Sequence, residues 1–390
     1  MSPNYNQPNF PLHYFYNTPY KRRVPFLASL ALKQCFLFQI SARLNPGCDH
    51  CSQFTTLFYV KAEGTHDTIH KIWDFTSNIP TVIISITDIN STLSITWDDN
   101  KPTEFTYSKK PDYSFGAAID KIVEYKGDGH TDPTCKDNTK SLSKFKWTRT
   151  IPPVWSEERV ELKMVGKKGR IVLNMKLIFL PYLDYAPELP HLIHTANSTL
   201  IDIALTNMTS VCGYNASRYG YHVVLADSNA DNGKRMTLNV RRSLDDEHTP
   251  GVFEVIEIQT PKSVVSGKGG YVQFRPVGYT EAERGVTTSI NAHVSNLNRY
   301  GPEVPPDILV EDVEVTFGDE GDSYQMHNYM AWSFAMGYGK PPVETFSLFV
   351  LMVIGCGMGI PVLLATSGIV YTAVRRVRQR RGRALLQDED

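Results

Sequence analysis

The sequence predicts an all-β fold: a lumenal β-sandwich ectodomain followed by one C-terminal transmembrane helix. Three observations predict it. Apolar residues alternate with period two through most of the chain between Ala42 and Glu344. Turn signals recur about every ten residues. One run, Phe346 to Val374, contains no Asp, Glu, Lys or Arg.

The elements follow in chain order. Residues 1–41 form a leader, with Lys21, Arg22 and Arg23 ahead of an apolar stretch from Val24 to Leu32. Ser29 and Ala31 make a small-x-small site, so the leader reads as an imperfect signal peptide and is left out of the fold. Strands are then expected at "TLFYVKA" from Thr56, "TVIISIT" from Thr81 and "TLSITW" from Thr92. "RVELKMV" and "RIVLNMKLIFL" are joined by Gly166-Lys167-Lys168-Gly169, a hairpin signal. Further strands are "YHVVLA" from Tyr221, "MTLNV" from Met236, "FEVIEI" from Phe253 and "YVQFRPV" from Tyr271.

"LPYLDYAPELP", Leu180 to Pro190, is proline-studded and reads as a linker between two sandwiches, 42–185 and 186–345, with one large sandwich and a long crossover as the competing arrangement. The last strand, Met330 to Tyr338, puts every large side chain on one face and every small one on the other. It is expected to close a sheet close to the membrane, since seven residues, Gly339 to Thr345, reach at most about 25 Å.

The uncharged run, 346–374, exceeds the roughly 20 apolar residues that a helix needs to cross a bilayer. Pro361 is tolerable there when neighbouring groups re-satisfy the backbone. Gly355 and Gly359 form a G-x-x-x-G, which fits either a helix–helix contact or ordinary glycine enrichment in membrane helices. Residues 375–390 carry six arginines, which the positive-inside rule places in the cytosol. That tail holds three carboxylates, so its net charge is +3, and the chain's −1 leaves −4 for the rest. A charge so mild suggests neither an acidic nor a basic ligand, and no nucleic-acid partner.

Cys35 falls in the leader and Cys356 in the span. Cys48, Cys51, Cys135 and Cys212 remain as disulfide candidates, with three pairings open. "CDHC" has no second C-x-x-C and no H-x-x-x-H beside it, so no metal is expected. No G-x-S-x-G elbow, phosphate loop or H-E-x-x-H motif is present, and no cofactor or catalytic set is assigned. "GKGG" at 267–270 reads as a hairpin turn. His191 and His194 would point to opposite faces of a strand. "LDDEH", 244–248, is the one motif that suits a hydrolase, through Asp245 or Asp246, though a solvated acidic loop explains it as well. A cell-surface adhesion or receptor module is a further alternative. Four N-x-[ST] sequons, at Asn90, Asn197, Asn207 and Asn215, all fall on the side expected to be lumenal.

Three spaced motifs resemble the glycosylated lysosomal membrane protein family. They are "HNYMAWSFAMGYGKPPVETFSLFVL", with Trp332, Ser333, Gly337, Gly339, Pro341 and Pro342 in the family's pre-membrane pattern; "SLDDEHTPGVFEV" with "YVQFRPVGY" downstream; and "NSTLSITW" from Asn90. The resemblance covers roughly Ala42 to Val374. It implies a single-pass type I lysosomal protein without enzymatic activity. It further implies an accessory subunit that binds a lysosomal major-facilitator transporter of dipeptides and shields it from proteolysis. Four features depart from the family, one being that the cysteines do not follow its pattern, which leaves their pairings open. Family members commonly end in a tyrosine-based sorting signal; from Phe346 onward the only Y-x-x-Φ is Tyr371 to Val374, at the membrane edge, and Leu385-Leu386 has Arg381 where a dileucine signal wants an acid. The sequons are also few. Self-association is left open.

Overall fold

A computed structural model describes residues 39–387, apart from 130–133, 136, 151, 157–158, 229–233, 244–253, 301–304, 306 and 344–347. Within them the alternating pattern becomes β1 (Gln39–Leu44), β2 (Leu57–Glu63), β3 (Asp67–Asp74), β4 (Thr81–Asp88), β5 (Leu93–Asp98) and β6 (Lys101–Tyr107). The long β7 (Tyr113–Lys126) follows, then β8 (Thr139–Ser141), β9 (Lys146–Arg149), β10 (Val154–Trp155), β11 (Val160–Lys168) and β12 (Ile171–Phe179). Next come β13 (Asp184–Ala186), β14 (Leu189–His194), β15 (Ser198–Thr206), β16 (Ser217–Asp227), β17 (Thr237–Arg242) and β18 (Glu254–Gln259). The ectodomain ends with β19 (Gly270–Phe274), β20 (Val277–Tyr279), β21 (Ser289–Val294), β22 (Asn298–Arg299), β23 (Leu309–Phe317), a single turn α1 (Tyr324–His327) and β24 (Tyr329–Tyr338). A separate unit, Val343–Asp390, contains α2 (Leu348–Gln387).

Two antiparallel sheets carry most of these strands. The first runs β1–β2–β3–β4–β7–β16–β23. The second runs β11–β12–β15–β24–β19–β18–β17, with β9 and β10 beside β11. β21 pairs with β20 of the second sheet and with β23 of the first, joining the two. Their facing sides meet in one apolar core, where Phe58, Trp73, Ile84, Phe115 and Tyr221 of the first sheet face Leu162, Leu173, Ile203, Trp332 and Phe334 of the second. Burial of this kind contributes roughly 25 cal/mol per Å² of apolar surface, so the inward half of the alternation is what the fold rests on.

The expected division at 185/186 is crossed by the pairing itself. β7 pairs with β16 and β12 with β15, so each sheet draws strands from both halves. Residues up to Pro342 form one compact unit. The proline-studded 180–190 stretch does not bridge two units. Leu180, Ala186, Leu189 and Leu192 lie buried against Ile178, Leu200 and Ala335, so β13 and β14 form a lid on the outer face of the second sheet. The β5–β6 hairpin does the same for the first sheet, setting Ile95 and Phe105 on Tyr59, Ile72 and Ile83.

Two local expectations shift. The β11–β12 turn is Gly169-Arg170, not the whole Gly166–Gly169 stretch, since β11 continues through Lys168. Gly166 stays in the strand because the Trp147 ring lies where a side chain would be, 3.0 Å from a Cβ built there. β24 does not close a sheet; it is a central strand between β15 and β19. Its large residues, Met330, Trp332, Phe334, Met336 and Tyr338, fill the core. Its small ones let other groups lie on the outer face, as the Tyr271 ring does on Gly337.

In the second unit, Leu351–Gln379 is long and apolar enough to cross a membrane. The helix continues past Pro361 and through Arg375, Arg376 and Arg378 without a break.

Candidate functional site

Strand register lays out the outer face of the second sheet in transverse rows. Glu161, Ile178, Leu200 and Ala335 stand abreast on β11, β12, β15 and β24. The β13–β14 lid covers the apolar members of this row. The next outward row, two residues along each strand, is Lys163, Lys176, Asp202 and Ser333. The row after that is Val165, Asn174, Ala204 and Ala331, not covered by the lid. Over these two rows lies a groove of about 940 Å³, walled by Tyr185, Pro187 and Glu188 of the lid and by Ala282 and Arg284 opposite. The volume is that of a small-molecule or peptide site.

Ion pairs hold the groove's walls. Arg284 binds Asp202, Ser333 and the Glu188 carbonyl, and stacks 5.3 Å from the Tyr279 ring centre. Ser333 donates to Asp202 at 2.7 Å. Arg159 bridges Glu161 at 2.7 Å and Glu188 at 2.9 Å, tying the lid to β11. Burial alone would raise the carboxyls of Glu161 and Glu188; the surrounding Arg159, Lys163 and Lys176 instead hold both below the usual range. Lys163 reaches Glu161 at 2.8 Å, and Lys176 lies 3.6 Å from Glu188.

Beyond the groove the same face stays basic. Lys167 on β11 is directly opposite Lys146 on β9, both exposed, and no ion pair engages either among the described residues. Segment 140–176 contains ten Lys or Arg against three Glu, a net of +7, so the rest of the chain sums to −8. The near-neutral total therefore conceals strong segregation. A charge count over a sliding segment would have found it, but only the register shows that Lys146, Lys163, Lys167 and Lys176 share one face.

The first sheet holds a second cluster. In the register between β7 and β16, Asp120 is the extra residue of a bulge. Its carboxylate contacts His222 Nδ1 at 2.5 Å, and Asp312 lies 3.4 Å from Nε2. Burial and, more weakly, Lys121 pull this imidazole down, but the two aspartates prevail and raise it to about 9. His70, between the Tyr59 hydroxyl at 2.7 Å and the Thr87 hydroxyl at 2.9 Å, is pushed by burial down to about 3.

The residues singled out in the sequence are dispersed. Asn90, Asn207 and Asn215 are exposed, and Asn197 is half-buried at the start of β15. Asn90 and Asn207 adopt left-handed backbone at turns, with φ of 60° and 57°. None of the four lies in the groove rows. The cysteines pair as Cys48–Cys51 and Cys135–Cys212. The second bridge ties the β7–β8 connection to the β15–β16 connection. "LDDEH" lies outside the described residues. His194 is buried beside Tyr182, their ring centres 5.4 Å apart. No group of three metal-ligating side chains occurs among the described residues.

A disulfide-bridged β-sandwich joined, among the described residues, to one membrane-length apolar helix defines a class, that of membrane-anchored ectodomain proteins. The sequence profile described as glycosylated lysosomal membrane protein matches residues 56–379. The chain belongs to this family. It is 24% identical over 376 residues to glycosylated lysosomal membrane protein B of Xenopus laevis, covering 86% of this chain and 90% of the relative. It is 24% identical over 348 residues to the Homo sapiens glycosylated lysosomal membrane protein, covering 80% and 82%. The Danio rerio protein of that name is 23% identical over 374 residues, covering 87% and 90%.

Proposed function

We propose that this chain is the accessory subunit of a multi-span lysosomal transporter of the major-facilitator class that carries dipeptides, which it binds and shields from lysosomal proteases. The ectodomain faces the lumen, the arginine-rich tail faces the cytosol, and the four sequon asparagines carry glycans. The observation that supports this reading most is that the sequons avoid one broad face. Asn90 and Asn207 sit on turns and Asn215 is exposed outside the strands, whereas the outer rows of β11, β12, β15 and β24 hold no sequon asparagine. That face is left free to lie against a protein.

Shielding suits this architecture. Proteases cut exposed irregular backbone, and here the backbone is largely committed to paired strands and two disulfides. The test is affinity purification of the tagged full chain in mild detergent, followed by mass spectrometry and by measurement of the carrier's half-life in cells lacking the chain. A multi-span carrier at equal stoichiometry, short-lived without its partner, is the expected result. Recovery of the chain alone from repeated mild-detergent preparations overturns the proposal.

A further inference from the structure

The basic face of β9, β11 and β12 presents an arrangement that folding alone does not favour. Lys163 and Lys176 are direct cross-strand partners, and so are Lys167 and Lys146. Like charges in directly opposed positions destabilise an antiparallel pair, and opposite charges there stabilise it. Here the unfavourable choice occurs twice on one face, with the pairs roughly 13 Å apart along β11 at about 3.3 Å per residue. Glutamates temper the first pair, through Glu161 and Glu188, but none reaches the second among the described residues. Lys144, two residues before β9, and Arg170, in the β11–β12 turn, are both exposed at the same end of the sheet.

We propose that this face, from the groove floor to the β9 edge, is a binding site for a sulfated polysaccharide of the heparin-like glycosaminoglycan type. A linear chain bearing regularly spaced sulfates matches two cation pairs set in line along a strand. The cations left unpaired are mostly ammonium groups. These act as point charges for single sulfate oxygens and lack the planar fork that selects carboxylate or phosphate bidentately. Exposed Asn174, between the two pairs along β12, offers both a donor and an acceptor to sugar hydroxyls. Tyr185 on the groove wall is about half exposed and offers a ring face to the sugar. A nucleic acid would need several such aromatic platforms to stack successive bases; among the described residues the groove is lined by two aromatic residues, Tyr185 and Tyr329. No sequon asparagine lies within these rows; Asn207 follows Thr206 at their β15 end. This site lies on part of the face that the transporter reading leaves free, but its test does not depend on that reading.

The test uses the full chain in mild detergent, titrated with a fluorescent heparin oligosaccharide at low and physiological salt. Lys146→Glu sets a carboxylate opposite Lys167, so its thermal midpoint should hold or rise while heparin affinity falls. The double variant Lys146→Glu/Lys163→Gln should bind at least about tenfold more weakly, with a shallower dependence on salt. Lys101→Glu, on the β5–β6 hairpin, should bind like wild type. N- and O-desulfated heparin should bind far less than heparin. Three results overturn the proposal. One is equal heparin affinity for wild type and the double variant. Another is equally tight binding of a DNA oligonucleotide or a polyglutamate of matched charge. The third is a clear fall in the midpoint of Lys146→Glu, which removes the opposed-lysine geometry.

Discussion

At the residue scale, two histidines give the ectodomain opposite responses to acid. His222 lies between Asp120 and Asp312 and is raised to about 9. A base raised in the folded state stabilises it fully below its unfolded value near 6.5, and that contribution fades as pH climbs towards 9. His222→Asn should therefore lose most stability near pH 5, and its deficit against wild type should shrink by on the order of 2–3 kcal/mol by pH 9.5. His70 has the contrary sign. Held down near 3 by burial, it favours the fold above 6.5 and penalises it as pH falls. His70→Gln should thus lose about 2 kcal/mol less than wild type between pH 7.5 and 5. Urea titrations at three pH values check both, and parallel curves for wild type and both variants would count against these assignments. Neither histidine was marked by its neighbours in the sequence. Asp120 is about a hundred residues from His222, and a one-residue bulge brings the two together.

At the scale of elements, the strands were legible and their partners were not. Period-two alternation located β2, β4, β5, β11, β12, β16 and β18 to within a few residues, because each buries an apolar face, in the core or, for β5, against the outside of the first sheet, and the pattern reports burial. It carries no information on which strand lies beside which. Prolines at 181, 187 and 190 suggested a break, yet a two-stranded lid tolerates them since few of its backbone donors are needed in a ladder. β24 shows both sides of this. Its alternation was plain, but its central place came only from pairing with β15 and β19. Trp332→Ala should cost about 3–5 kcal/mol by opening a cavity among Tyr221, Phe274, Phe317 and Phe334. The Cys135–Cys212 bridge closes a loop across a separation of 77 residues, so removing it should cost roughly 4–5 kcal/mol in chain entropy. Cys48–Cys51, across a separation of three, should cost only about 1–2 kcal/mol on the same scale. Thermal midpoints of the two double-serine variants should rank in that order; equal midpoints would show that loop closure does not govern either bridge.

At the scale of the molecule, the decisive quantity is which side of a bilayer each part occupies. A 29-residue helical stretch, Leu351–Gln379, is long and apolar enough to cross lipid once at 1.5 Å per residue, and Arg375, Arg376 and Arg378 lie at its C-terminal end. Arginines are retained on the cytosolic side, so the β structure and all four sequons should lie opposite. Glycan addition then becomes a readout of topology. Digestion with an N-glycosidase should shift the full chain by up to four steps, and single Asn→Gln changes at 90, 197, 207 and 215 should each remove one. The structure also ranks them. Asn90, Asn207 and Asn215 are exposed, while Asn197 is half-buried and its amide lies 3.9 Å from where a side chain on Gly339 would begin. Occupancy should therefore be lowest at Asn197. In sealed vesicles, added protease should remove an epitope placed after Asp390 and leave the ectodomain intact until detergent is added. Unmodified asparagines, together with a tail protected alongside the sandwich, would reverse the orientation and withdraw the glycans, the lumenal partner and the shielding role at once.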